Sequence, residues 1–285
     1  MQNKADRGVK YRGPFFYFDF KKNLLLLLLF KQTPYFGFLC NKKRSWRIVF
    51  GMKKFRNITA NVVIALTLFA LLVVTTGSGR GISVFGEKPS PIYSGDKTGD
   101  KISLMINVYW GTEYVLPMAE LMEKYGFRCT FFVGGSWADD NVGLVRTLSE
   151  RGFEIGNHGY FHKDHSKLTY DQNFDEIVMN QRLIDEIVGY KGNYLFAPPS
   201  GAFNDDTLAF CRKNGFTTVM WTRDTIDWRD KDPDLVYRRA VKNMAAGDLV
   251  LMHPTAHTLS ALPKILAEVA AKGMRVVTVS ENLGL

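Results

Sequence analysis

The chain has 285 residues, 46% of them hydrophobic and 23% charged. That balance excludes wholesale disorder and allows one large domain or two small ones. Net charge is +9, but residues 1–56 hold fourteen Lys and Arg against Asp6 and Asp19, so the remainder is acidic. A nucleic-acid partner would need its basic surface on the folded part, and none is expected. Cys40, Cys129 and Cys211 are too few and too scattered for a disulfide scaffold or a zinc knuckle.

Residues 1–51 show no organised pattern; the apolar run 24–29 is too short to span a bilayer. Met52-Lys53-Lys54-Phe55-Arg56 then precedes an uncharged stretch, 58–76, of nearly the ~20 residues a spanning helix needs. A basic segment before an apolar run reads as a signal anchor over residues 52–77. Thr75-Thr76-Gly77-Ser78-Gly79 lacks an A-x-A cleavage site, so retention as a single-pass anchor is expected, with secretion after cleavage as the alternative. Lys53, Lys54 and Arg56 favour the cytoplasm and place everything beyond residue 77 outside it. Met52 opens a self-sufficient leader, so translation is expected to begin there, with residues 1–51 an extension or a basic tail.

Residues 78–100, rich in Gly, Ser, Pro and charge, read as a linker. From 101 to 285, strand-like runs at 102–108, 129–133, 153–156, 194–197, 217–221, 249–252 and 275–278 alternate with amphipathic segments. Those segments lie near 114–125, 140–151, 170–188, 205–214, 234–246 and 259–272. A glycine follows each of the six, where a helix exit favours it, and Thr169, Asn204 and Asp232-Pro233 sit where caps belong. Seven strands alternating with six helices predict a parallel α/β architecture. An incomplete barrel and an open doubly wound sheet both fit. No Gly-rich phosphate loop follows the first strand, which disfavours the dinucleotide form, and the barrel-like form leads.

Polar residues gather just after the strands: Asn107; Asn157 and His158; Pro199 and Ser200; Asp224 and Asp227; His253. In parallel α/β folds these ends share one face, which carries the active site. His158-Gly-Tyr-Phe-His162 spaces two imidazoles four residues apart, as on one side of a helical turn, and predicts a metal pair. Asp164 and His165 read as solvated loop residues. Asp224-Thr-Ile-Asp227-Trp228 offers two carboxylates and an aromatic. His253 is a general-acid candidate if a carboxylate such as Asp224 bonds to it.

In this order the residues resemble the polysaccharide deacetylase domain (NodB homology, carbohydrate esterase family 4) over residues 101–285. The carrying motifs are H-x-x-x-H at His158 and His162, D-x-x-D-W at Asp224, Asp227 and Trp228, and L-x-H at Leu251 and His253. Phe131-Phe132 matches the second strand. The resemblance implies a deformed (β/α)7 barrel and a divalent metal, zinc, held by two His and one Asp. It further implies hydrolysis of N-acetyl groups on a cell-wall or spore-wall glycan, peptidoglycan or chitin-like. His253 would act as acid with Asp224 orienting it. Trp110, Pro199, Ser200, Asp227, Trp228 and Leu251 would contact substrate.

Two motifs depart from the pattern. T-F-D-D-G is replaced by Met105-Ile106-Asn107-Val108-Tyr109, so Asn107 stands at the general base and Val108 at the aspartate ligand. Ala197 replaces the arginine that orients the base. The chain resembles a membrane-anchored, sporulation-associated branch with a similar N-x-x-W-G motif. An amide cannot accept a proton at neutral pH, so activity is expected to be low unless Glu113, Asp164 or Asp227 substitutes. The alternative is a glycan-binding module without turnover, using Trp110, Tyr160 and Trp228.

Overall fold

The computed structural model describes residues 58, 60–70, 89–189 and 193–285. Two compact units divide at Val84/Phe85. In the first, residues 60–70 are helical; the remainder of the predicted anchor, and all of 1–51, lie outside the described residues. Among the described residues no helix is long and apolar enough to cross a membrane.

In the second unit the elements run β1 (Lys101–Val108), α1 (Thr112–Glu123), β2 (Thr130–Val133), α2 (Gly135–Asp140), α3 (Val142–Glu150) and β3 (Glu154–Asn157). After them come α4 (Tyr170–Val188), β4 (Tyr194–Phe196), α5 (Asp205–Lys213), β5 (Phe216–Thr218) and β6 (Arg223–Asp224). The chain ends with α6 (Pro233–Val241), β7 (Leu249–Met252), α7 (Ala256–Ala271), β8 (Arg275–Val276) and α8 (Val279–Leu283). The sheet order is β5-β4-β3-β2-β1-β7-β6, with β8 pairing the start of β1, and all these pairings are parallel. The sheet curls into an open barrel, which settles the choice left by the pattern of elements.

Strand alternation separates two apolar layers. Leu104, Ile106 and Val108 of β1, Phe131 and Val133 of β2 and Val250 and Met252 of β7 pack outward with Met118 of α1 and Leu262 of α7. Met105, Phe132 and Leu249 instead point inward and plug the barrel with Leu195, Val219 and Val279. Asn107 and Leu251, two residues on from this plug, therefore face the open mouth above it. Side-chain period alone sets that position.

The helix signals have structural counterparts. Thr169 and Asn204 form capping boxes with Gln172 and Thr207, and the Asp232 carboxylate accepts N–H bonds from Asp234 and Leu235 before α6. The sixth helix stops at Val241 rather than 246, because Asn243 takes a left-handed conformation (φ 53°) and the Arg223 guanidinium bonds the Lys242 and Asn243 carbonyls. The predicted linker needs correcting over residues 89–100. Ile92 makes a parallel bridge to Val219, and Gly95 N–H donates to the Gly247 carbonyl (2.8 Å). This stretch is a strap on the domain.

Candidate active site

A cleft of about 690 Å³ opens at the strand ends. Nine predicted residues line it: Asn107, Trp110, His158, His162, Ser200, Asp224, Trp228, Leu251 and His253. Tyr109 and Trp221, which the sequence reading did not place there, complete the lining.

The imidazole pair is real, but no helical turn makes it. Residues 158–162 form an irregular loop in which Gly159 (φ 70°) and His162 (φ 55°) are both left-handed. For a non-glycine residue that conformation costs roughly 1–2 kcal/mol, so neighbouring contacts must hold it. The two rings pack edge to face with centroids 5.1 Å apart. His158 is buried, and its Nδ1–H donates to the Ala197 carbonyl at 2.7 Å, leaving Nε2 for the cleft. Burial, reinforced by the neighbouring imidazole, depresses the His158 pKa to about 3. Burial also lowers that of His162. Both are therefore neutral at physiological pH, the form that ligates metals.

The partner of His253 is Asp227, not Asp224. Its Nδ1–H donates to Asp227 Oδ1 at 2.8 Å, and its backbone N–H to Oδ2 at 2.6 Å. Thr258 Oγ1–H adds a third bond to Oδ2 at 2.6 Å. Asp227 is fully buried, so it cannot be the substrate contact its motif position implied. Burial by itself would raise its carboxyl pKa, yet the His253 bonds and the Thr258 hydroxyl hold it below the usual range. The Trp110 ring stacks on His253, 5.6 Å between centroids. Asp224 lines the cleft, with one oxygen capping the Ile226 N–H at 2.8 Å.

Other assignments are corrected too. Pro199 is buried, 3.4 Å from where a Gly159 Cβ would sit, and supports the histidine loop instead of meeting substrate. Tyr160 covers Gly135 and is not part of the cleft lining. His165 is fully buried with Nδ1 2.7 Å from Asn173 Oδ1, not solvated. Of the carboxylates proposed as substitute bases, Glu113 is exposed at the start of α1, Asp164 is tied to Ser166 and Lys167, and Asp227 is committed to His253.

A zinc ion of the kind the resemblance implies would find two nitrogen ligands in His158 and His162. Val108, at the third-ligand position, is buried in the outer apolar layer and cannot ligate. Asn107 Oδ1 is buried without a hydrogen-bond partner, an unpaired oxygen in the same cleft wall. Among the described residues no cluster of three His, Cys, Asp or Glu side chains is present. The described residues thus offer an ion the two imidazoles and no carboxylate in the third-ligand position.

The polysaccharide deacetylase family model matches residues 94–219. A peptidoglycan-N-acetylglucosamine deacetylase of Bacillus cereus is 33% identical over 60% of this chain and 82% of its own length. The chain belongs to the polysaccharide deacetylase family. The chain is also 36% identical to the uncharacterized protein YlxY of Bacillus subtilis, over 68% of its own length and 60% of that relative. Among solved structures it resembles a carbohydrate esterase family 4 pseudoenzyme from Bacillus anthracis, at 34% identity and a TM-score of 0.66. That match covers 69% of this chain and 70% of the other. A mutant of the same protein, with restored enzymatic activity, matches with the same TM-score. The family's general chemistry is hydrolytic deacetylation of a polysaccharide, and the Bacillus anthracis protein is a pseudoenzyme of it.

Proposed function

We propose that the cleft binds an N-acetylated cell-wall glycan and hydrolyses its N-acetyl amide slowly. The observation that carries this reading is the His253–Asp227–Thr258 chain, complete and aimed at the cleft that holds the imidazole pair. Asp227 fixes Nδ1 as the bonded nitrogen of His253, so Nε2 is left to protonate the departing amine as the amide C–N bond breaks. A divalent ion, held by His158 and His162 when bound, would polarise the acetyl carbonyl and activate water.

The position the resemblance gives to the base holds no carboxylate, and the cleft's Asp224 commits one oxygen to the Ile226 N–H, so the proton of that water is left to solvent. Asn107 is an amide, and no cleft arginine organises a base. General base catalysis is typically worth ~10²–10⁴ in rate, which sets the expected handicap. Trp110 and Trp228, both exposed at the cleft, offer faces on which sugar rings can stack. The N-terminal charge pattern supports an anchored domain outside the cytoplasm, and the substrate would then be the wall itself.

The pseudoenzyme neighbour and the residues at 107 and 108 favour a second reading, glycan binding without turnover. The test is zinc content and acetate release by the full chain on peptidoglycan and on chito-oligosaccharide. Bound zinc with slow acetate release that vanishes in His253→Ala supports the enzyme. Glycan binding with no acetate from either substrate supports the module.

A further inference from the structure

Helix α4 carries an unexpected stripe on its buried face. Asn173, Glu176 and Asn180, spaced three and four residues apart, are buried beside Ile177 and Ile184. Glu176 is 1% exposed, and the hydrogen bonds and ion pair of its carboxylate all serve the segment that holds the two imidazoles. Its Oε2 accepts the backbone N–H of Tyr160 at 3.1 Å and of Phe161 at 2.8 Å, and Oε1 pairs with Lys163 at 3.0 Å. Tyr160 and Phe161 are the residues between the Gly159 bend and the left-handed His162. Asn180 Nδ2 holds the Gly159 carbonyl at 3.0 Å from the same helix face. A buried carboxylate is costly without full pairing, and an apolar residue would pack the sheet as well. None of these bonds goes to His158 or His162, although the charge of Glu176 acts on His162 electrostatically.

We propose that Glu176 is the positioning residue of the imidazole pair, setting through the Tyr160 and Phe161 amides the turn that brings His162 round to face His158. The proposal deepens the reading of the cleft as a site for a divalent ion and rests on it for its use, although the geometry is testable without metal. Glu176→Ala removes the acceptor, Glu176→Asp keeps the charge but shortens the reach, and Glu176→Gln keeps the reach.

The probe is cobalt(II), titrated into the full chain and read by its absorption spectrum. Loss of a residue that orients metal ligands typically lowers affinity 10–100-fold. Such a fall is expected in Glu176→Ala, a smaller one in Glu176→Asp, and near recovery in Glu176→Gln. Wild-type affinity in a folded Glu176→Ala, or in Glu176→Asp should the alanine variant fail to fold, would overturn the proposal. If the wild type takes no cobalt, the metal reading fails by itself, and metal-free NMR decides the rest. Cross-peaks between the two histidine rings should be present in wild type and Glu176→Gln and weakened in Glu176→Asp; full intensity there overturns the positioning role.

Discussion

Asp227 and Asp224 are three residues apart, yet one is fully enclosed and the other faces the cleft. Asp227 accepts two bonds from His253 and one from Thr258, so Asp227→Ala would leave three donors without their acceptor. Unsatisfied buried polar groups cost ~1–3 kcal/mol each, and a loss of roughly 3 kcal/mol or more is expected in urea unfolding. Asp224→Ala removes one backbone cap and should cost under about 1.5 kcal/mol. A larger loss in Asp224→Ala than in Asp227→Ala would reverse the assignment. The sequence could not separate them, because a two-carboxylate motif does not say which member folds inward.

The depressed pKa of His158 has a signed consequence. Between about 3 and the ordinary 6.5 the folded chain keeps this imidazole neutral, whereas the unfolded chain protonates it. The unfolded state then binds more protons, so stability falls as pH drops through that window. Asp227, with its lowered pKa, adds loss in the same direction as pH falls below the ordinary 3.8. Across the His158 window the expected loss is about 3–5 kcal/mol. His158→Gln should flatten the metal-free stability profile between pH 6.5 and 4; an unchanged slope would show that burial of this ring is not its source.

Elements were legible where punctuation is local. Thr169 and Asn204 announced capping boxes because their chemistry acts within one turn, and Thr169→Ala should cost ~1 kcal/mol of stability. The short α2 and the two-residue β6 carry too little periodicity to be seen; α2 is set by packing on α4 and β6 by pairing with β7. The histidine pair was legible as spacing but not as geometry, since its turn depends on contacts from α4. The stripe Asn173, Glu176 and Asn180 was the available signal: polar residues at helical spacing that share a face with isoleucines.

At the scale of the molecule, the strap at 89–100 closes against the barrel through close backbone approach. A Cβ on Gly247 (φ 81°) would lie 2.8 Å from the Gly95 carbonyl oxygen and 3.0 Å from that of Asp96. Gly247→Ala should therefore cost more than ~1 kcal/mol and make the strap more sensitive to limited proteolysis. A variant as protease-resistant as wild type would mean that the strap does not depend on this contact. The strap eluded the sequence reading because its composition is that of a tether, and only tertiary contacts order it. The barrel itself was legible, since strand-helix alternation leaves few architectures.

The most direct test compares acetate release from peptidoglycan by the full chain and by Asn107→Asp, at equal zinc supply. If the cleft retains its acid and imidazole pair and lacks a base, the wild type releases acetate slowly and the variant faster, by ~10²-fold or more. Equal rates in the two, or no acetate from either, would contradict that account.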